Sequence, residues 1–175
     1  MKLIGLAGWS GAGKTTLLTR VIPLLIARGV RVSTIKHAHH KFDVDTPGKD
    51  SFAHREAGAT EVLVSSGRRF ALMHELRDEP EWPLRDLLTK ITPVDLVIVE
   101  GFKADRHPKI EVHRTANGKP FLYDRDPAIV AVVTDASPPA SVPVFALDDI
   151  AQIADMMLAK AVHVDDHLAM DGAGA

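Results

Sequence analysis

The run GWSGAGKT, Gly8 to Thr15, constrains this chain more than any other feature. It matches G-x-x-x-x-G-K-[ST] at every fixed position: Gly8, Gly13, Lys14 and Thr15. A short apolar run, Lys2–Ala7, precedes it. A segment with apolar residues at Leu18, Val21, Ile22 and Leu25 follows, the spacing of one helix face. Strand, glycine loop and helix in that order make a phosphate cradle. Gly8, Gly11 and Gly13 let backbone N–H groups turn inward, and the helix N-terminus adds unpaired donors. Lys14 is placed to reach the β and γ phosphates, and the Thr15 hydroxyl to bind Mg²⁺. The predicted nucleotide contacts are Gly8, Ser10, Gly11, Ala12, Gly13, Lys14, Thr15 and Thr16.

The remaining pattern fits one α/β domain over residues 1–162. The helix from about Lys14 to Arg28 is expected to kink at Pro23. Val30–Ile35 reads as the next strand, forming a parallel pair with the first. A helix is expected over Ser51–Ala57. Glu61–Ser65 and Arg69–Glu75 read as a hairpin, and Pro83–Ile91 as helical. Leu96–Val99 and Ile129–Thr134 are continuous apolar runs, as buried parallel strands require. Lys109–His113 alternates, which predicts an exposed edge strand and a hint of an interface. Val144–Leu147 is short and leads into a helix over Ile150–Ala161. Residues 163–175 have no core pattern and are expected to form a flexible tail. The fold class is therefore α/β: a mainly parallel sheet flanked by helices, with a small antiparallel hairpin extension.

Composition narrows the function classes. The 175 residues carry a formal net charge of -2, which argues against nucleic acid or an acidic membrane as a partner. The absence of cysteine excludes disulfides, thiolate metal sites and a cysteine nucleophile. The N-terminus has no signal-peptide pattern, and no run reaches transmembrane length, so a cytoplasmic protein is expected.

Two strand ends offer carboxylates. Glu100 ends the run Leu96–Val99, where an acid can bind Mg²⁺ or polarise a water. Lys14 and Glu100 are the expected catalytic pair, and Thr15 and Glu100 the Mg²⁺ ligands. Asp135 ends Ile129–Thr134. It can accept two hydrogen bonds from guanine, or it can cap a turn. The loop KHAHHKFDVDTPGKD, Lys36–Asp50, crowds histidines and acids. Asp43 and Asp45 are possible further Mg²⁺ ligands. His37, His39 and His40 match no standard metal spacing. Arg55, Arg68 and Arg69 can extend a basic surface. His113, His163 and His167 have no evident partners in sequence, and Trp9 either covers a nucleotide or packs.

AGWSGAGKTTLL, IKHAHHKFDVDTPGKDS, REAGA and VEGFK together resemble the molybdopterin-guanine dinucleotide biosynthesis protein B family. The likeness runs from about Lys2 to Leu158 in the family's order. It implies a P-loop nucleoside triphosphatase fold, homodimers, and GTP binding with Mg²⁺ and slow hydrolysis. It implies an adaptor that serves a molybdenum cofactor guanylyltransferase and a molybdenum-insertion protein. The partner guanylyltransferase performs the GMP transfer. The resemblance puts Gly8, Gly13, Lys14 and Thr15 in the phosphate loop, Glu100 in the Walker-B position and Asp135 near the guanine site. It also matches Asp43, Asp45, Gly48, Lys49 and Asp50 to a loop motif. Two other readings remain open. One is an ATP-using small-molecule kinase with Arg68, Arg69, Arg77 and Arg85 in a lid. The other is a metal-delivery GTPase using His37, His39 and His40.

Overall fold

A computed structural model describes residues 1–38 and 42–172. His39, His40 and Lys41, and with them most of the histidine cluster, lie outside the described residues. The chain divides into two compact units, one of Met1–His37 with Leu87 onward, the other Ala38–Asp86, where the sequence suggests one domain.

The larger unit is built on a seven-stranded sheet. Its strands are β1 (Lys2–Ala7), β2 (Val32–Lys36), β5 (Leu96–Glu100), β6 (Lys109–Val112), β7 (Ile129–Thr134), β8 (Val144–Ala146) and β9 (Val162–His163). The order is β2-β5-β1-β6-β7-β8, parallel throughout, with β9 antiparallel to β1. β1 and β2 are not neighbours, because β5 lies between them. The four buried residues Leu96–Val99 explain this: a strand apolar on both faces belongs in the middle of a sheet.

Helices α1 (Lys14–Ala27) and α4 (Ile150–Lys160) cover one face of the sheet. Leu17, Leu18, Val21 and Leu25 of α1 join Ile153, Ala154 and Met157 of α4 over Ile4, Leu6, Ile98, Ile110 and Val133. Arg28–Asp155 ties the two helices at the surface, and Arg20 of α1 meets Asp148 just before α4. α1 runs through Pro23 without a break, and that residue lies on its exposed side.

β6 is not an edge. It pairs with β1 on one side and β7 on the other, and all four of its residues are buried. Alternating polar residues suggest a wet face, but here the polar groups are satisfied from within. Glu111 accepts from the Leu122 and Tyr123 amides at 2.8 and 3.0 Å. Lys109 Nζ donates to the Lys103 and Asp105 carbonyls and meets Asp126 Oδ2 at 3.2 Å. Burial pushes the Glu111 pKa up, and the two amides work against that shift.

The expected tail is also structured as far as it is described. β9 pairs Val162 with Leu3 and His163 with Lys2, and α5 (Val164–Gly172) follows. Val164 donates its amide to the Met1 carbonyl, and His167 is buried. On this second face His107 fills the notch left by Gly5: a Cβ on Gly5 would lie 2.4 Å from His107 Nε2.

The smaller unit contains α2 (Asp50–Glu56) and the hairpin of β3 (Glu61–Ser65) and β4 (Phe70–His74). Short helix α3 (Leu84–Leu88) spans the boundary between the units. Arg55 organises the smaller unit. Its guanidinium meets Asp43 Oδ2 at 2.8 Å, Asp45 Oδ2 at 3.1 Å and Glu75 Oε1 at 2.7 Å.

Two outcomes are expected. Glu111→Ala leaves two part-buried amides without an acceptor and should cost about 2 kcal/mol in urea denaturation. His74 sits between Glu61 and Glu79, and its pKa is raised, first by the Glu61 hydrogen bond. Stabilisation from such a group is full below the unfolded value of 6.5 and fades as pH rises through the higher folded value. Hairpin amides, corrected for intrinsic exchange, should therefore be better protected at pH 6 than at pH 8.5. His74→Gln should abolish the difference.

Candidate functional site

The phosphate loop turns as its glycines require. Gly8, Gly11 and Gly13 have φ of 141°, 78° and 94°, in the region that side chains disfavour. At Gly8 the restriction is also steric, since a Cβ would lie 2.4 Å from the Val112 carbonyl oxygen. At Gly13 it would lie 3.0 Å from Arg114 Nε. Gly13 caps α1 in the left-handed conformation with no side-chain bond, so the first amides of the helix have no intrahelical acceptor. Ser10, Gly11, Thr15 and Thr16 are exposed, and Ala12 is buried beneath the loop.

Lys14 Nζ donates to the Gly8 and Trp9 carbonyls at 2.9 and 3.1 Å. It stands 4.0 Å from Glu100 Oε1, while Lys36 Nζ is 3.9 Å from the same oxygen. Partial burial lowers the Lys14 pKa. The Glu100 charge opposes that shift, and Lys103 and Lys36 add to it. Three ammonium groups against one carboxylate make this rim electropositive. Glu100 arrives there because β5 pairs directly with β1, in register Leu6 with Glu100. β2 ends alongside, where the His37 amide donates to the Glu100 carbonyl at 2.8 Å.

After Glu100 the backbone turns sharply. Gly101 has φ 101° and Phe102 φ 47°. A Cβ at Gly101 would stand 2.5 Å from His37 Cβ, and the Phe102 ring stacks on His37 with centroids 4.7 Å apart. The Gly-Phe pair of VEGFK thus fastens the end of β5 to the end of β2.

Asp135 lies at the end of β7, with Oδ1 accepting from both the amide and the hydroxyl of Thr115 at 2.8 and 2.9 Å. These bonds hold its pKa down. Of its two readings, turn cap and guanine acceptor, these contacts belong to the first. What it caps is a 3-10 turn, Thr115–Asn117, that supports the phosphate loop from behind. Asn117 Nδ2 donates to the Ser10 carbonyl at 3.2 Å, and Arg114 lies against Gly13. Arg114, Thr115 and Asn117 belong to no motif in the sequence. The only signal for them is that their segment follows a strand pairing with β1.

His113 is also organised. It is buried, with Nδ1 3.0 Å from Thr134 Oγ1, Nε2 3.0 Å from the Lys119 carbonyl, and its ring on Phe121. Trp9 packs outward: Nε1 donates to the Pro120 carbonyl at 2.8 Å, and the Lys103 and Lys119 ammoniums each lie 5.8 Å from its ring centroid. Asp43 and Asp45 belong to the smaller unit, where Arg55 takes both. Arg77 donates there to the Ala59 carbonyl.

The residues fit a nucleoside triphosphate with Mg²⁺. The loop admits no side chain at Gly8, an ammonium stands beside it, and a threonine hydroxyl and a strand-end carboxylate are at hand. Fold and loop together define a P-loop nucleoside triphosphatase fold. The model of the family described as molybdopterin guanine dinucleotide synthesis protein B matches residues 3–135, and the chain belongs to that family. The molybdopterin-guanine dinucleotide biosynthesis adapter protein of Escherichia coli is 42% identical over 159 residues, 89% of this chain and 91% of that protein. Its Haemophilus influenzae counterpart is 43% identical over 158 residues, 89% and 86%. A crystal structure of molybdopterin-guanine biosynthesis protein B superposes with TM-score 0.72 at 30% identity, covering 90% of this chain and 98% of that one. Among the described residues no helix is long and apolar enough to cross a membrane.

Gly101→Ala adds a left-handed alanine and a clash with His37, and should destabilise by about 1–3 kcal/mol, read as a lower thermal midpoint. Asp135→Ala frees the turn behind Gly11 and Gly13, and should weaken GTP and ATP binding alike. A loss confined to GTP would instead assign Asp135 to the base.

Proposed function

We propose that this chain binds GTP and acts as an adapter in molybdopterin-guanine dinucleotide biosynthesis; the adapter role is the one named for its Escherichia coli and Haemophilus influenzae relatives. The observation that carries the proposal is the phosphate loop after central strand β1, with Lys14 at the start of α1 and Glu100 at the end of neighbouring strand β5. Lys14 leaves the Gly8 and Trp9 carbonyls to meet the β and γ phosphates. The loop amides and the start of α1 hold the anion, and Thr15 with Glu100 holds Mg²⁺. Bound Mg²⁺ would neutralise charge on the phosphate oxygens. Lys36 and Lys103 raise the local positive potential without belonging to the loop.

Slow hydrolysis accompanies this reading. The single glutamine, Gln152, is committed to α4. Turnover is expected at about 10⁻⁴ to 10⁻² per second, the range of unassisted P-loop GTPases. The adapter works in the cytoplasm and hands its bound state to a guanylyltransferase and a molybdenum-insertion protein.

We also propose a homodimer, supported by an apolar face on the β3–β4 hairpin. Leu63 pairs with Leu72 and Ser65 with Phe70, so Leu63, Leu72 and Phe70 share one side, at 60%, 50% and 71% exposure. Leu72→Glu with Phe70→Glu should convert the dimer to a folded monomer in sedimentation velocity.

Calorimetric titration with GTP and then ATP, each with Mg²⁺, tests the nucleotide reading. GTP should bind more tightly, and Lys14→Ala should lose most of that affinity. Tighter binding of ATP would overturn the GTP adapter and favour a kinase.

A further inference from the structure

Asp105, His107 and His167 meet on the side of the sheet where His107 fills the Gly5 notch. One ligand-capable atom from each lies within 4.8 Å of the other two. His167 Nε2 is 3.6 Å from Asp105 Oδ1, and the two imidazoles meet edge to face with centroids 5.8 Å apart. Asp105 and His107 come from the β5–β6 connection, His167 from α5. No sequence spacing announces the trio, because the fold brings it together across some sixty residues of chain.

His107 makes the cluster more than a meeting of polar groups. It is 1% exposed, and neither ring nitrogen has a hydrogen-bond partner. An imidazole carries one donor and one acceptor when neutral, and leaving both unpaired in a core is costly. Aliphatic packing would fill the same notch without that cost. A metal ion would use the lone pair that the protein leaves idle.

We propose that Asp105, His107 and His167 bind a divalent transition-metal cation of the zinc class, which clamps α5 to the β5–β6 connection. Two imidazoles and a carboxylate suit zinc, cobalt or nickel better than magnesium or calcium. Three protein ligands leave a fourth position for water. A tetrahedral zinc with bonds of about 2 Å sets neighbouring donors about 3.3 Å apart, so the trio draws in on binding. Burial, with help from the Lys109 charge, pushes the His107 pKa down to about 3. The ring therefore stays in the neutral form a metal needs. The Lys109 ammonium, whose charge acts on His107, is held by two carbonyls and the Asp126 carboxylate. The Asp105 carbonyl serves that lysine, while its carboxylate faces His167.

The full chain, stripped with a chelator, would be titrated with Zn²⁺ by calorimetry and with Co²⁺ by visible absorption. One ion should bind per chain, and Co²⁺ should show the d–d bands of a four-coordinate nitrogen and oxygen site. His107→Gln and His167→Gln should each weaken Zn²⁺ by more than about tenfold, since even outer-shell changes cost that much. His39→Ala with His40→Ala should leave Zn²⁺ affinity unchanged. Wild-type protein that binds no stoichiometric Zn²⁺ would overturn the proposal, as would full affinity in both glutamine variants. If His107→Gln does not fold, nitrogen-15 spectra of wild-type imidazoles decide. Zn²⁺ must shift the ring nitrogens of His107 and His167, and unshifted rings would refute the site.

Discussion

A single carbonyl oxygen, that of Val112, stands where a side chain on Gly8 would have to go. It is there because β6 pairs with β1 on one side while β5 pairs on the other. That double pairing makes β1 the centre of the sheet and ends it in a space too tight for anything but glycine. It also brings Glu100 next to Lys14 and sets the turn after β6 behind the phosphate loop. The loop is therefore shaped from both neighbouring strands. Its glycines answer to contacts a hundred residues away as much as to their own φ angles.

The parts of the site legible in sequence were those whose chemistry is local. The glycine spacing, Lys14 and Thr15 declare themselves within eight residues, and the apolar run Leu96–Val99 delivers Glu100 to the rim. In sequence β6 has the pattern of an edge, because Lys109 and Glu111 alternate with apolar residues. The groups that satisfy them, the Leu122 and Tyr123 amides and the Lys103 and Asp105 carbonyls, belong to loops that no periodicity can place. The same limit hid the fit of β9 beside the start of β1, and the buried settings of His113 and His167. Asp135 was visible as a strand-end acid, but its bonds to Thr115 depend on a 3-10 turn with no sequence signature.

The motif KHAHHKFDVDTPGKD illustrates a different ambiguity. Its acids suggested a metal ion, and in Arg55 they find a cation of their own chain. Three carboxylates around one guanidinium make a self-contained electrostatic centre. The smaller unit has little buried apolar area, and Val62 is its one buried strand residue among those described. Charge organisation does there what side-chain packing does beneath α1 and α4.

Gly5 and His107 show how such a structure constrains change over time. The volume missing from a strand residue is supplied by a loop residue about a hundred positions later. Enlarging Gly5 alone meets the imidazole, and shrinking His107 alone opens a hole in the core. Made together, the two changes can exchange volume across the gap and cancel. Each is then harmful in one background and permissible in the other, so divergence at either position has to wait for its counterpart.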